Sequence, residues 1–377
     1  MSADSLTGRA GDVSPPWDGQ ETSTGGLRSP LARTSGPWLF SAPVDLSVFL
    51  GSAVAALVAL WIGAGLGVLH SDTPGWALVP AILLIDVAHV WATAFRVYFD
   101  PHELQRRPLV YMLVPVFGLA IGIALYSEGD EVFWRTLAYV AIFHFVRQQY
   151  GWVALYRARA GERDRLGRWI DTVTIYLATL YPLIYWHAHL PRRFSWFLAS
   201  DFAAIPAVAE AVARPIYFAS LIVYAVRSIY LWLIKRQTNP GKDIVVATTA
   251  VCWYVGIVGY NSDYAFTVTN VIIHGVPYLA LVYWYARSRA EKATRAYRLL
   301  SHNPIVFLGL LWVLAYMEEM FWDRGVWHDR SWLFGARWDV GSFKLVLVPL
   351  LALPQLVHYV LDGFVWRRKS NPDFRLV

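Results

Sequence analysis

Apolar runs of roughly 20 residues recur ten times along this chain of 377 residues, near positions 46–69, 75–99, 109–126, 132–156, 169–190, 215–235, 243–260, 264–285, 304–321 and 343–366. A helix rises ~1.5 Å per residue, so each run is long enough to cross ~30 Å of hydrocarbon. Inside a bilayer every backbone polar group must be satisfied within the protein, which leaves helices or a closed barrel. These runs are continuous rather than alternating, so the expected fold is all-α: a polytopic transmembrane helix bundle of about ten spans over residues 38–377. Composition agrees, with 56% hydrophobic residues, 19 Trp, 21 Tyr and 16% charged residues. Residues 1–37, rich in Ser, Gly, Pro and Thr, read as a disordered tail, and no apolar core with a cleavage site marks a secretory signal.

The charges sort by side. The tail and the loops after even-numbered spans hold 22 Lys and Arg residues, and the opposite loops hold 7. By the positive-inside rule both termini are expected in the cytoplasm, which an even number of spans requires. The net charge of +6 follows from this orientation, and no nucleic-acid partner is expected. Cys252 is the single cysteine, which excludes an intramolecular disulfide and any multi-thiolate site. The chain is expected as a multi-pass protein of a bacterial inner (plasma) membrane, surrounded by membrane lipids.

Four histidines, His89, His144, His274 and His358, fall near the middle of the second, fourth, eighth and tenth spans. All four spans run in the same direction, and the histidines lie roughly 15–22 Å below the outer end of their helices. An ionisable group in hydrocarbon is costly and usually faces the bundle interior for a functional reason. One shared metal site is the expectation, with the four imidazoles as ligands.

Polar stripes accompany each histidine. On the second span Asp86, His89, Thr93, Arg96 and Asp100 follow steps of three and four residues, which is one helical face. Gln148 lies one turn beyond His144, Asn270 one turn above His274, and Asp362 one turn beyond His358. Asp86, Gln148, Asn270 and Asp362 are expected to orient the imidazoles by hydrogen bonds to the nitrogen that does not bind metal. Tyr278, a turn below His274, is expected to line the pocket or replace a ligand. Arg147, beside Gln148, is expected to hold a polar head group or pair with an aspartate. The bland alternative for Asp86, Asp362, Arg96, Arg147 and Arg227 is a set of buried ion pairs. Adjacent Glu318 and Glu319, near the outer end of the ninth span, either reach solvent or gate a cavity.

Imidazole suits iron, zinc, copper and nickel, so the ligand type does not select among them. A site inside the bilayer is most easily reached by an apolar substrate and by O₂. The expected cofactor is therefore non-haem Fe(II), with zinc the alternative; hydrolysis on zinc needs a water path and a carboxylate, which Asp86 or Asp362 supplies. The chain lacks G-x-G-x-x-G, Walker A, H-E-x-x-H and C-x-x-C-H motifs, and also the clustered histidine boxes of membrane di-iron desaturases.

The order of the motifs resembles the Brp/Blh family of membrane β-carotene 15,15′-dioxygenases. Phe143-His144-Phe145 is similar to that family's I-H-F-G-x-x-D motif, Ile273-His274-Gly275 to I-H-S-x-x-H, and His358 through Leu361-Asp362 to Arg367 to P-H-x-x-L-x-D-x-x-x-R. His89 takes the place of the histidine in P-H-G-x-x-D without its glycine and aspartate, and Tyr278 stands where the third motif has a second histidine. The resemblance implies non-haem iron held by histidines and a carotenoid-like substrate. The set also resembles a family of bacterial polytopic membrane proteins, which implies no function.

The leading expectation is thus a membrane oxidoreductase, an iron oxygenase acting on a hydrophobic lipid or isoprenoid. Two other classes stay open. A haem-binding electron carrier would use the histidines in axial pairs, although each helix here supplies only one. A proton- or metal-coupled transporter would use the histidines and aspartates as a relay.

Overall fold

The computed structural model describes residues 36–70, 73–290 and 293–366. The tail expected over 1–37 lies outside the described residues except for Gly36 and Pro37, as does the basic stretch after Trp366. Among the described residues the chain is helical, with no strand.

Ten long helices fall on the ten apolar segments: α1 Ala42–Gly65, α2 Gly75–Arg96, α3 Pro108–Ser127, α4 Asp130–Arg159, α5 Arg165–Ala188, α6 Ala207–Leu233, α7 Pro240–Gly259, α8 Asp263–Arg289, α9 Pro304–Trp327 and α10 Gly341–Val365. Eight of them are long and apolar enough to cross a membrane. The other two, α4 and α5, have 30 and 24 residues but are less apolar. α6 begins earlier than the apolar run does. Residues 207–214, read from sequence as part of a loop with its own short helix, are continuous with it, and Pro215 is accommodated inside.

Burial sorts the helices into centre and rim. The apolar stretch of α8 is 78% buried, against 11% for α3 and α6. α8 starts cleanly because Ser262 caps it, accepting from Ala265 N, with Asp263 in the first turn to complement the helix dipole. The middle of α2 is wound as a wide π-helix over Leu78–Val87 before tightening to an α-helix at Ala88. Such winding moves the side chains that follow relative to a regular helix. α2 and α8 also approach closely here. A Cβ on Gly275 would lie 2.6 Å from Ile85 Cγ2 and 3.2 Å from Ile85 O, so only glycine fits without displacement.

Two buried ionic knots tie the ends of helices together. Asp171, fully buried in α5, takes Arg157, Lys242 at 3.1 Å and Arg227 at 3.3 Å. The ion-pair reading of Arg227 thereby finds its partners. At the other knot Arg96, at the end of α2, pairs with Glu103 at 3.0 Å, and Arg106 and Tyr111 converge on the same carboxylate. Burial pushes Glu103 up, but Arg96, Tyr111 and Arg106 together hold its carboxyl below the usual range.

Candidate metal centre

His89 on α2, His144 on α4, His274 on α8 and His358 on α10 meet in the middle of the bundle, each 5% exposed or less. One ring nitrogen from each lies within 4.8 Å of every other. The Nε2 atoms of His89 and His274 are 3.2 Å apart, and those of His144 and His358 are 3.1 Å apart. Neighbouring ligands on metal–nitrogen bonds of ~2.0–2.1 Å stand ~2.9 Å apart at a right angle and ~3.4 Å at a tetrahedral angle. The observed spacings fall between these limits, so the group can hold a metal ion.

The direction of one proton chain supports the same conclusion. With Asp362 ionised, Tyr278 donates to its Oδ1 at 2.6 Å. Its single proton is spent there, so at 3.1 Å from Thr93 Oγ1 the tyrosine oxygen must accept. Thr93 in turn has given its proton to Tyr278, so its oxygen accepts from His358 Nδ1, 2.7 Å away. His358 therefore carries its hydrogen on Nδ1 and presents the Nε2 lone pair to the other histidines. That is the tautomer a metal ligand needs. Elsewhere the rings are held by packing. Phe145 stacks on His274 with centroids 3.6 Å apart at 6°, and Tyr359 covers His144 at 4.9 Å. Among the described residues Nδ1 of His89 and of His274 lacks a hydrogen-bond partner.

The residues expected around the histidines fare differently. Asp362 lies one helical turn from His358, but its nearest oxygen is 3.9 Å from Nδ1, beyond hydrogen-bond distance. Thr93 takes the direct contact, and Asp362 acts through Tyr278, with Trp366 Nε1 donating to the same carboxylate at 3.2 Å. The Asp86 carboxylate stands 3.6 Å from Nδ1 of His89, again without a hydrogen bond. Gln148 reaches across to α8 and donates to the carbonyl of His274 at 2.8 Å. Asn270 donates to Phe266 O and Thr269 Oγ1, on its own helix, and not to a histidine.

Tyr278 is buried with its ring 5.0 Å from that of His358, and its hydroxyl is committed to Thr93 and Asp362. Arg147 points away from the site. It is exposed, bonded to Tyr176 and stacked over Tyr150 at 4.9 Å, so it does not face the histidines. Three residues from His144 is one turn by count, but the guanidinium follows the interface with α5. The sequence did place Thr93 on the polar face of α2 without giving it a role, and no spacing rule signals the partners Phe145 and Tyr359.

The chain matches no protein-family profile, no curated protein and no solved structure.

Proposed function

We propose that this is a multi-pass protein of a bacterial inner membrane, with ten spans and both ends on the inner side, in which His89, His144, His274 and His358 hold non-haem Fe(II) for an oxygenase acting on an apolar lipid, isoprenoid or carotenoid-like substrate. The observation that carries this reading is the convergence of four buried imidazoles on one point midway along four helices. Neutral imidazoles leave a divalent iron its full charge and open positions, and iron so held supplies dioxygen activation. The protein's share is to fix the ligands. Thr93, Tyr278 and Asp362 set the tautomer of His358, while Phe145 and Tyr359 hold the rings of His274 and His144 in place. The resemblance to the Brp/Blh family favours iron and a hydrophobic substrate over zinc hydrolysis.

The spacing of the histidines speaks against haem. Two axial imidazoles on one haem iron stand ~4 Å apart with the macrocycle between them. Here the paired nitrogens are 3.1 and 3.2 Å apart, and all four crowd within 4.8 Å.

Elemental analysis and a visible spectrum of the purified protein test the reading. Iron in near one-to-one amount without a Soret band is the expected result, followed by oxygen uptake with a liposome-dissolved isoprenoid. A Soret band would move the protein to the electron carriers, and zinc alone would move it to hydrolases.

A further inference from the structure

An apolar cavity of about 460 Å³ lies between α2, α3, α9 and α10, next to the histidine group but separate from it. That volume falls within the ~300–1,000 Å³ of pockets that hold small molecules. Its wall is almost entirely hydrocarbon, and the polar groups of Trp91, Thr93, Tyr98 and Glu318 on it are already hydrogen-bonded. Glu318 accepts from Trp91 Nε1 at 2.6 Å and from Trp322 Nε1 at 3.4 Å. Thr93 spends its hydroxyl on His358 and Tyr278, which leaves its methyl for the cavity wall. Water needs two to four polar partners to settle in a cavity, and this one exposes almost no polar surface.

The far side of the cavity faces the bilayer. Met317 on α9 and Leu350 on α10, which help to line it, are 46% and 43% exposed on helices that are apolar enough to cross a membrane. A chain dissolved in lipid can therefore enter sideways, without crossing water. At its inner side the cavity is bounded by Thr93, one hydrogen bond from Nδ1 of His358.

We propose that this cavity binds a long apolar chain drawn from the bilayer and brings it against Thr93, beside the histidine group. The proposal rests on the oxygenase reading for the fate of the chain, though not for its binding. Glu318 then belongs to the scaffold: by holding Trp91 and Trp322 it fixes the wall, and it does not contact solvent or a cation.

The test is photolabelling of the full-length protein in lipid vesicles doped with a long-chain alkyl diazirine, with peptide mapping of the adducts. Adducts should concentrate on the lining residues of α2, α9 and α10 and disappear when an excess of unlabelled long-chain alkane is added, while those on α6, which does not line the cavity, persist. Ala94→Trp, which fills the cavity from α2, should abolish the competed adducts, and Leu314→Phe, a milder filling from α9, should weaken them. Adducts spread evenly over the lipid-facing helices and insensitive to competition would mean ordinary boundary lipid and would overturn the proposal. So would cavity adducts unchanged in Ala94→Trp or, if that variant does not fold, in Leu314→Phe. Metal content is measured on the same samples. Bound iron without competed adducts sinks the cavity alone, and competed adducts without bound metal sink the oxygenase alone.

Discussion

Thr93 Oγ1 on α2 lies 2.7 Å from Nδ1 of His358 on α10, and this contact decides which nitrogen of that histidine faces its three partners. With Asp362 ionised the hydroxyl accepts there, because its proton goes to Tyr278 and that of Tyr278 goes to Asp362. A carboxylate that does not touch the histidine thus sets its tautomer through two hydroxyls.

Thr93→Val keeps the shape and removes the acceptor, leaving the Nδ1 hydrogen of His358 buried and unpaired. Metal affinity should fall by roughly 10–100-fold, the usual effect of removing a hydrogen-bond partner from a ligating histidine. Thr93→Ser should restore it. Asp362→Asn should matter less than Thr93→Val, since the amide oxygen can still accept from Tyr278. Chelator competition titrations in detergent compare the three. A larger loss for Asp362→Asn would mean that its carboxylate, not Thr93, orients the ring.

Each of the four histidines should be needed for full occupancy. His358→Ala and His89→Ala should lose the metal or nearly so, without loss of the helical spectrum, because the remaining rings are still packed by Phe145 and Tyr359. Arg147→Ala should keep its metal, since that side chain is exposed and contacts Tyr176 and Tyr150. Metal-to-protein ratios measured on the purified variants settle both points. Full occupancy in either histidine variant would remove that residue from the ligand set.

The helices were legible in the sequence because each is a long, mostly apolar run, and eight of them are long and apolar enough to cross a membrane. The convergence of the histidines was legible for a related reason: on helices of common direction, count along the chain is a measure of depth. What surrounds them was less so. Spacing along one helix identifies residues that share a face, and it put Asp362 beside His358 and Asp86 beside His89. It says nothing of a neighbouring helix, and Thr93 reaches His358 from across such an interface. The π-wound stretch of α2 further alters the register between Asp86 and His89. Arg147 and Gln148 follow His144 at three and four residues, about 60° and 40° to either side of it. Only the packing of α5 and α8 determines that the arginine turns out and the glutamine turns in.

Glu103 should make the protein sensitive to acid. Its carboxyl is held below the usual range in the folded state by Arg96, Tyr111 and Arg106, which outweigh the effect of burial. A depressed folded-state value means that the stabilisation is present above the unfolded carboxyl value, ~4.3, and is lost as pH falls through the folded one. Thermal unfolding in detergent should therefore show the wild type losing stability as pH drops below ~4.3, while Glu103→Gln starts lower and changes less. Parallel curves for the two proteins would show that the acid response comes from elsewhere.

Gly275 should be intolerant of even a methyl group. Its absent Cβ would lie 2.6 Å from Ile85 Cγ2 and 3.2 Å from the Ile85 carbonyl, so Gly275→Ala must push α8 away from the π-wound part of α2. Those two helices carry His274 and His89, whose Nε2 atoms are 3.2 Å apart. Overpacking of this kind typically costs ~1–3 kcal/mol, and here the displacement also separates two ligands. Gly275→Ala should lower both the unfolding temperature and the metal affinity. Ile85→Ala removes the Cγ2 that clashes but leaves the carbonyl, so the double variant should recover part of each loss. The coupling energy between the two changes, read from metal titration of the four proteins, should then be favourable. Additive effects would mean that the helices are already free to move apart at this point, and that the close approach of Gly275 to Ile85 does not set the distance between the histidines.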